Sequence, residues 1–158
     1  MALKKVLVLG TTGEIEQLQT GDTIDVTTAS NQVFIAANAT GGALTIGQAV
    51  YISSANTVEA ALADNVTTSG VVGLVADASI AGSANGYILT DGTLVSTDWI
   101  DVVGTTTLTA GSVYFLSDTA AGELTTTVPT APGSFVTRVG TAISTTTLEV
   151  TISRPIKL

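Results

Sequence analysis

The chain has 158 residues, 45 % of them apolar and only 11 % charged, a balance that excludes a disordered polymer and fits one domain or two very small ones. It carries 13 acids against five cations, for a net charge of −8, and it has neither histidine nor cysteine. A disulfide framework is therefore excluded, and so are transition-metal sites built on Cys and His.

The charge is unevenly spread. Lys4, Lys5, Arg154 and Lys157 sit near the two ends, and Arg138 is the single cation between them. The stretch from Val6 to Ser153 holds every acid and carries a net −12. Such an acidic body does not track a phosphate backbone, so no nucleic-acid partner is expected. No apolar run approaches the roughly 18 residues of a membrane helix, and Val6–Leu9 is too short for the core of a signal peptide. No membrane partner and no targeting segment are expected.

Period-two alternation and β-branched runs dominate, with Gly- and Thr-rich turns between them. In chain order, strands are predicted at Leu3–Leu9, Thr23–Thr28, Gln32–Ala36, Gln48–Ser53, Val71–Ala76, Gly86–Thr90, Trp99–Val103, Ser112–Ser117, Ser134–Ile143 and Thr146–Ser153. Turns are expected at Gly10–Gly13, Ala39–Gly42, Ala81–Gly86, Asp91-Gly92 and Ala120–Gly122. The one helical candidate is a short turn around Glu14–Gln19.

An internal repeat organises the rest. Leu44-Thr-Ile-Gly-Gln-Ala-Val-Tyr-Ile-Ser53 aligns without gaps on Leu108-Thr-Ala-Gly-Ser-Val-Tyr-Phe-Leu-Ser117, and each copy is followed by a Val-Gly pair, Val72-Gly73 and Val139-Gly140. In each copy the leucine should plug the core, and Gly47 or Gly111 should supply a positive φ or a close approach. Two copies are too few for a solenoid. The expected fold is all-β: two related small antiparallel β-units, sandwich- or barrel-like, over residues 31–95 and 96–158, behind an N-terminal arm and first strands over residues 1–30.

The motifs that could carry chemistry are weak. Lys5-Val-Leu-Val-Leu-Gly-Thr-Thr-Gly13 looks like the strand and turn of a dinucleotide loop, but Glu16 stands where the third glycine belongs. Asp22 with Asp25 and Asp98 with Asp101 could pair as acid and base, although surface carboxylates at strand ends have the same spacing. No serine elbow is present, Gly82–Gly86 being a turn. Asp64 and Asp118 could at most meet an incidental calcium ion. Asn38-Ala-Thr40 and Asn65-Val-Thr67 match the short glycosylation pattern. Trp99, the sole tryptophan, reads as an anchor in the core or at a subunit interface. No catalytic residue, metal site or cofactor is assigned, and the chain is read as a non-enzyme.

Gly13-Glu-Ile-Glu-Gln-Leu-Gln-Thr-Gly-Asp22 with Thr23-Ile-Asp25 resembles the opening of tailed-phage virion proteins. The second half, from Leu108–Ser117 through Gly122–Thr125, Pro129–Pro132 and Val139-Gly140 to Ile156, is similar to β-rich capsid-decoration (cement) and tail-fibre proteins. The resemblance implies a bacteriophage structural protein on the capsid exterior, a homotrimer whose partner is the major capsid protein. A tail-fibre, collar or adhesion module binding a host surface is the alternative; 158 residues without heptads leave little room for a fibre shaft. The candidate capsid or subunit contacts are Lys4, Lys5, Val6, Leu7, Val8, Trp99, Arg154 and Lys157, with the basic ends either meeting an acidic partner or forming solvated tails.

Overall fold

The computed structural model describes residues 31–158, together with a short strand pair before them. Leu7–Leu9 (β1) and Ile15–Gln17 (β2) run antiparallel with Leu9 opposite Ile15. Ile15–Gln17 is thus extended, where a helical turn was expected around Glu14–Gln19. A single turn fixes several dihedrals for one hydrogen bond, whereas pairing with Leu7–Leu9 satisfies a ladder. Ile15–Gln17, where a dinucleotide loop would open its helix, is a strand. Lys4, Lys5, Val6, the Gly10–Gly13 turn, Asp22, Asp25 and the expected strand Thr23–Thr28 lie outside the described residues.

The body continues with β3 (Gln32–Asn38), β4 (Leu44–Thr45), β5 (Ala49–Ser54), β6 (Thr57–Ala60), β7 (Gly73–Val75), β8 (Ser79–Ile80) and β9 (Asn85–Val95). After the short helix α1 (Ile100–Val103) come β10 (Val113–Leu116), β11 (Leu124–Thr125), β12 (Phe135–Val136), β13 (Arg138–Ala142), β14 (Thr147–Thr151) and β15 (Ile156–Lys157). Over residues 31–158, 43 % of the chain is strand and 3 % helix, and the fold is all-β. Five strands close a barrel in the order β9-β3-β6-β5-β7 and back to β9. From β9 the same sheet extends outward through β14, β13, β10 and β11. One pairing departs from the antiparallel rule: β3 and β6 run parallel, Ala37 opposite Thr57.

Period-two alternation supplies two cores at once. Ala36, Val50, Val58, Val75 and Ile88, one from each barrel strand, cluster with Leu44 and Ile80 inside the barrel. Their chain neighbours Ala49, Leu74 and Leu89 point outward into a larger core with Leu94, Trp99, Val102, Leu108, Leu116, Val139 and Leu148. Strands buried on both faces explain the continuous apolar runs at Ala49-Val50, Leu74-Val75 and Ile88-Leu89.

The sequence repeat is a repeat of strand register. Val50 faces Gly73 as Tyr114 faces Gly140, and Tyr51 faces Glu59 as Phe115 faces Thr125. Leu44 and Leu108 are both buried. Gly47 and Gly111 both have positive φ, +86° and +80°. The Val-Gly glycines have a shared cause. A Cβ on Gly73 would lie 2.6 Å from the Leu89 carbonyl oxygen, and one on Gly140 would strike the Glu149 carbonyl oxygen, so the next strand passes too close for a side chain.

Three further expected segments take another form. Trp99–Val103, expected as a strand, turns into α1: the Asp98 carboxylate accepts the Ile100 N–H at 3.0 Å, and Gly104, at φ +73°, closes the turn onto the Ile100 carbonyl. Asp91-Gly92, expected as a turn, lies inside β9, where an extra residue on β9 opposite the Gln32/Val33 step and a φ of +114° at Gly92 mark an irregularity that the strand absorbs. Ser134–Ile143 splits into β12 and β13 because Thr137 between them is buried, its hydroxyl donating to the Ser69 carbonyl at 3.0 Å.

Gly140→Ala should therefore lower the unfolding free energy by about 1–3 kcal/mol, as overpacking does. Gly41→Ala, with nothing within 4 Å of the added methyl, should change it by less than about 0.5 kcal/mol. Urea denaturation of the two variants measures both; equal effects would contradict the close approach of β14. A second expectation concerns alkaline pH. Desolvation first, then the hydrogen bond to Glu59 at 3.0 Å and its charge, hold the Tyr51 phenol above its ordinary value near 10. The unfolded chain then ionises before the folded one, so the stability this group contributes is intact below about pH 10 and is lost as pH rises through the folded value. Tyr51→Phe should lose less stability than the parent between about pH 9 and 11, and an unchanged pH slope would contradict the assignment.

Candidate functional site

The C-terminal segment is tied into the fold. Past the end of β14, Ser153 N–H donates to the Arg138 carbonyl at 2.9 Å, and the Arg138 N–H donates to Ser153 Oγ at 3.0 Å. Pro155 keeps Arg154 extended. β15 then pairs with β12, Phe135 opposite Lys157 and Val136 opposite Ile156, and the Leu158 N–H reaches the Ser134 carbonyl at 3.0 Å. The end carrying Arg154 and Lys157 is thus a paired strand whose side chains face solvent, and not a solvated tail.

This pairing gathers charge that the sequence spreads apart. Arg138, Arg154 and Lys157 are the cations after residue 30, and all three are exposed at this corner. Arg138 joins Arg154 through the Ser153 pairing, and Lys157 sits opposite Phe135, three residues before Arg138. The Arg138 guanidinium also donates to Thr141 Oγ1 at 2.8 Å, which steadies its direction. Flanking Lys157 in the chain are Ile156, 64 % exposed, and Leu158, 49 % exposed. Asp118 approaches the same corner through Ser134, whose hydroxyl donates to its carboxylate at 3.2 Å. Exposed cations beside exposed apolar residues, on a body otherwise rich in acids, offer chemistry complementary to an acidic surface.

The other sequence candidates fall elsewhere. Leu7 and Val8 belong to β1; Lys4, Lys5 and Val6 lie outside the described residues. Trp99 is fully buried within the single chain, so it is a core anchor and has no surface to offer a capsid, a subunit or a sugar. Its indole N–H donates to the Ser96 carbonyl at 3.1 Å, and its ring covers Gly47, where a Cβ would come within 2.8 Å of it. Trp99 therefore joins the two copies of the repeat. Asp98 and Asp101 are both exposed, on the rim of a cleft of about 450 Å³ beside α1. Asp64 accepts hydrogen bonds from Asn65 and Thr68 within its own loop. Asn38 of the first glycosylation pattern is fully buried, its amide donating to the Gly42 and Ile80 carbonyls at 2.9 and 2.8 Å, so it is a structural amide. Among the described residues no three His, Cys, Asp or Glu side chains form a metal-binding group, and no helix is long and apolar enough to cross a membrane.

The sequence reading missed Arg138 as a site residue, because it stands alone in the chain. Its signal was the Ser134–Ile143 segment running beside the C-terminal strand, which only the pairing register makes explicit. No protein-family model matches the chain, and no curated protein matches it.

Trp99 reports directly on this arrangement. Its fluorescence should be blue-shifted and poorly quenched by acrylamide, and Trp99→Ala should cost about 3–5 kcal/mol of stability. A red-shifted, readily quenched emission in the folded protein would place the indole at the surface and restore it as a contact residue.

Proposed function

We propose that this chain is a non-enzymatic phage capsid decoration protein that binds the exterior of the assembled head as a homotrimer. The observation that carries the reading is the corner of Arg138, Arg154 and Lys157 with exposed Ile156 and Leu158. The resemblance of residues 13–25 and 108–156 to virion proteins points the same way. An acidic shell surface is the complementary partner, and the apolar pair supplies contact area that salt does not screen. Val33, Ile35 and Tyr87 add a second exposed apolar face on the barrel, with Ile35 directly opposite Tyr87, of the kind a subunit contact covers.

Decoration works by linkage. A protein that binds only the assembled shell stabilises it by RT ln(1 + [L]/Kd), about 2.7 kcal/mol per site at a hundredfold excess over Kd. A trimer touching several capsid subunits multiplies this through avidity. The alternative, an adhesion module on the tail, loses its one tryptophan platform because Trp99 is buried.

The test is co-sedimentation of the protein with expanded heads of its phage. The parent chain should bind as a trimer by light scattering. Arg154→Glu with Lys157→Glu should stay folded yet bind at least about tenfold more weakly at low salt, equivalent to about 1.4 kcal/mol. The deficit should shrink near 0.5 M salt, where exposed charges are screened within a few ångströms. A parent chain that ignores heads sinks the function, and a variant that binds like the parent sinks the basic corner as the contact.

A further inference from the structure

Asn31 fixes where the N-terminal residues join the body. Its amide nitrogen donates to the Thr93 carbonyl at 3.2 Å and its amide oxygen accepts the Thr93 N–H at 3.0 Å, so the side chain pairs with β9 as a neighbouring strand would. Two residues further along β9, Val95 lines the open cleft of about 450 Å³. Ile46, Ile100 and Val102 supply more of its apolar wall, and Asp98 and Asp101 supply carboxylates. Val95 is 60 % exposed and Ile100 47 %, although both flank the main core. The three cations of residues 31–158 are at the corner beyond the opposite end of β14, whose first residue, Thr147, pairs with Val95.

The sequence before Asn31 has the complementary chemistry. Lys4 and Lys5 precede Val6-Leu-Val-Leu9, two cations next to an apolar strand. β1 and β2 form a separate two-stranded sheet, and a lone hairpin is at best marginally stable in water, so its apolar residues need a surface. Residues 18–30 reach up to roughly 45 Å when extended, far more than the step from Asn31 to a cleft that opens two residues past Thr93. A segment tethered so near its site has an effective concentration in the millimolar range, which favours its own chain over a second copy in dilute solution.

We propose that in the unassembled protein the cleft is the docking site of the chain's own N-terminal segment, Val6–Leu9 lying on Val95 and Ile100 with Lys4 and Lys5 facing Asp98 and Asp101. The docking itself is independent of the decoration reading; its use, to cover an apolar anchor until a shell displaces it, rests on that reading.

Two experiments on the full chain test this. In hydrogen exchange, amides of residues 4–9 should be protected in the parent. They should exchange at least about tenfold faster in Asp98→Asn with Asp101→Lys, a pair that keeps the acceptor for the Ile100 N–H. Adding Lys4→Glu with Lys5→Glu should restore protection. The chain has no cysteine, so Lys5→Cys with Asp101→Cys offers a single possible disulfide. It should form within one chain and run as a monomer on a non-reducing denaturing gel. An unprotected segment, a charge swap without rescue, no disulfide, or a disulfide-linked dimer each overturns the proposal, the last assigning the cleft to a neighbouring copy's segment. If the parent still binds heads in any of these cases, the decoration reading stands while the docking falls.

Discussion

The structure depends on one strand that changes partners along its length. The first part of β9 pairs with β3 on one side and β7 on the other and so closes the barrel; residues Asp91–Val95 then carry β14. Because side chains alternate, Ile88 fills the barrel while Leu89 fills the outer core, and the two cores are locked together through adjacent residues. A one-residue slip of β9 would exchange the two sets and leave both cores wrong. The irregularity at Asp91-Gly92 is where the strand passes from one role to the other, and the Asn31 side chain supplies the neighbour that the backbone there would otherwise lack.

That division explains what the sequence made legible. The repeat was visible because Leu44, Gly47 and the Val-Gly pair do the same physical work as Leu108, Gly111 and Val139-Gly140: plugging a core, turning with positive φ, and admitting a neighbouring backbone. The all-β class followed from the same alternation. What stayed hidden was how the copies differ. The first copy has β3 to complete a barrel. At the equivalent offset the second copy has Ser96–Val102, where Trp99 turns inward over Gly47 and the chain coils into α1. Period-two reasoning reads Trp99–Val103 as a strand; the Asp98 acceptor and the Gly104 stop were the signals for a helical turn. β4, β6, β8, β11 and β15 went unnoticed because they are only two to four residues long and owe their extension to their partners, not to pattern.

The basic corner was half legible. Arg154 and Lys157 stand out as cations near the end of an acidic chain, but Arg138 becomes their neighbour only through the pairing of Ser153 with β13. The same pairing converts what composition suggests is a loose end into a surface of fixed geometry. Fixed geometry matters for recognition, since immobilised side chains lose less freedom on binding than mobile ones do. On the proposed reading, the acids that dominate the rest of residues 31–158 would repel an acidic shell, so charge would select the orientation of docking as well as its strength.

The corner of Arg138, Arg154, Ile156, Lys157 and Leu158 is the contact proposed with the head. Cryo-electron microscopy of expanded heads decorated with the protein measures this directly. The account predicts threefold density on the outer surface where capsomers meet, with that corner pressed against acidic residues of the shell. Density that turns the corner toward solvent, or density confined to the tail, would contradict it.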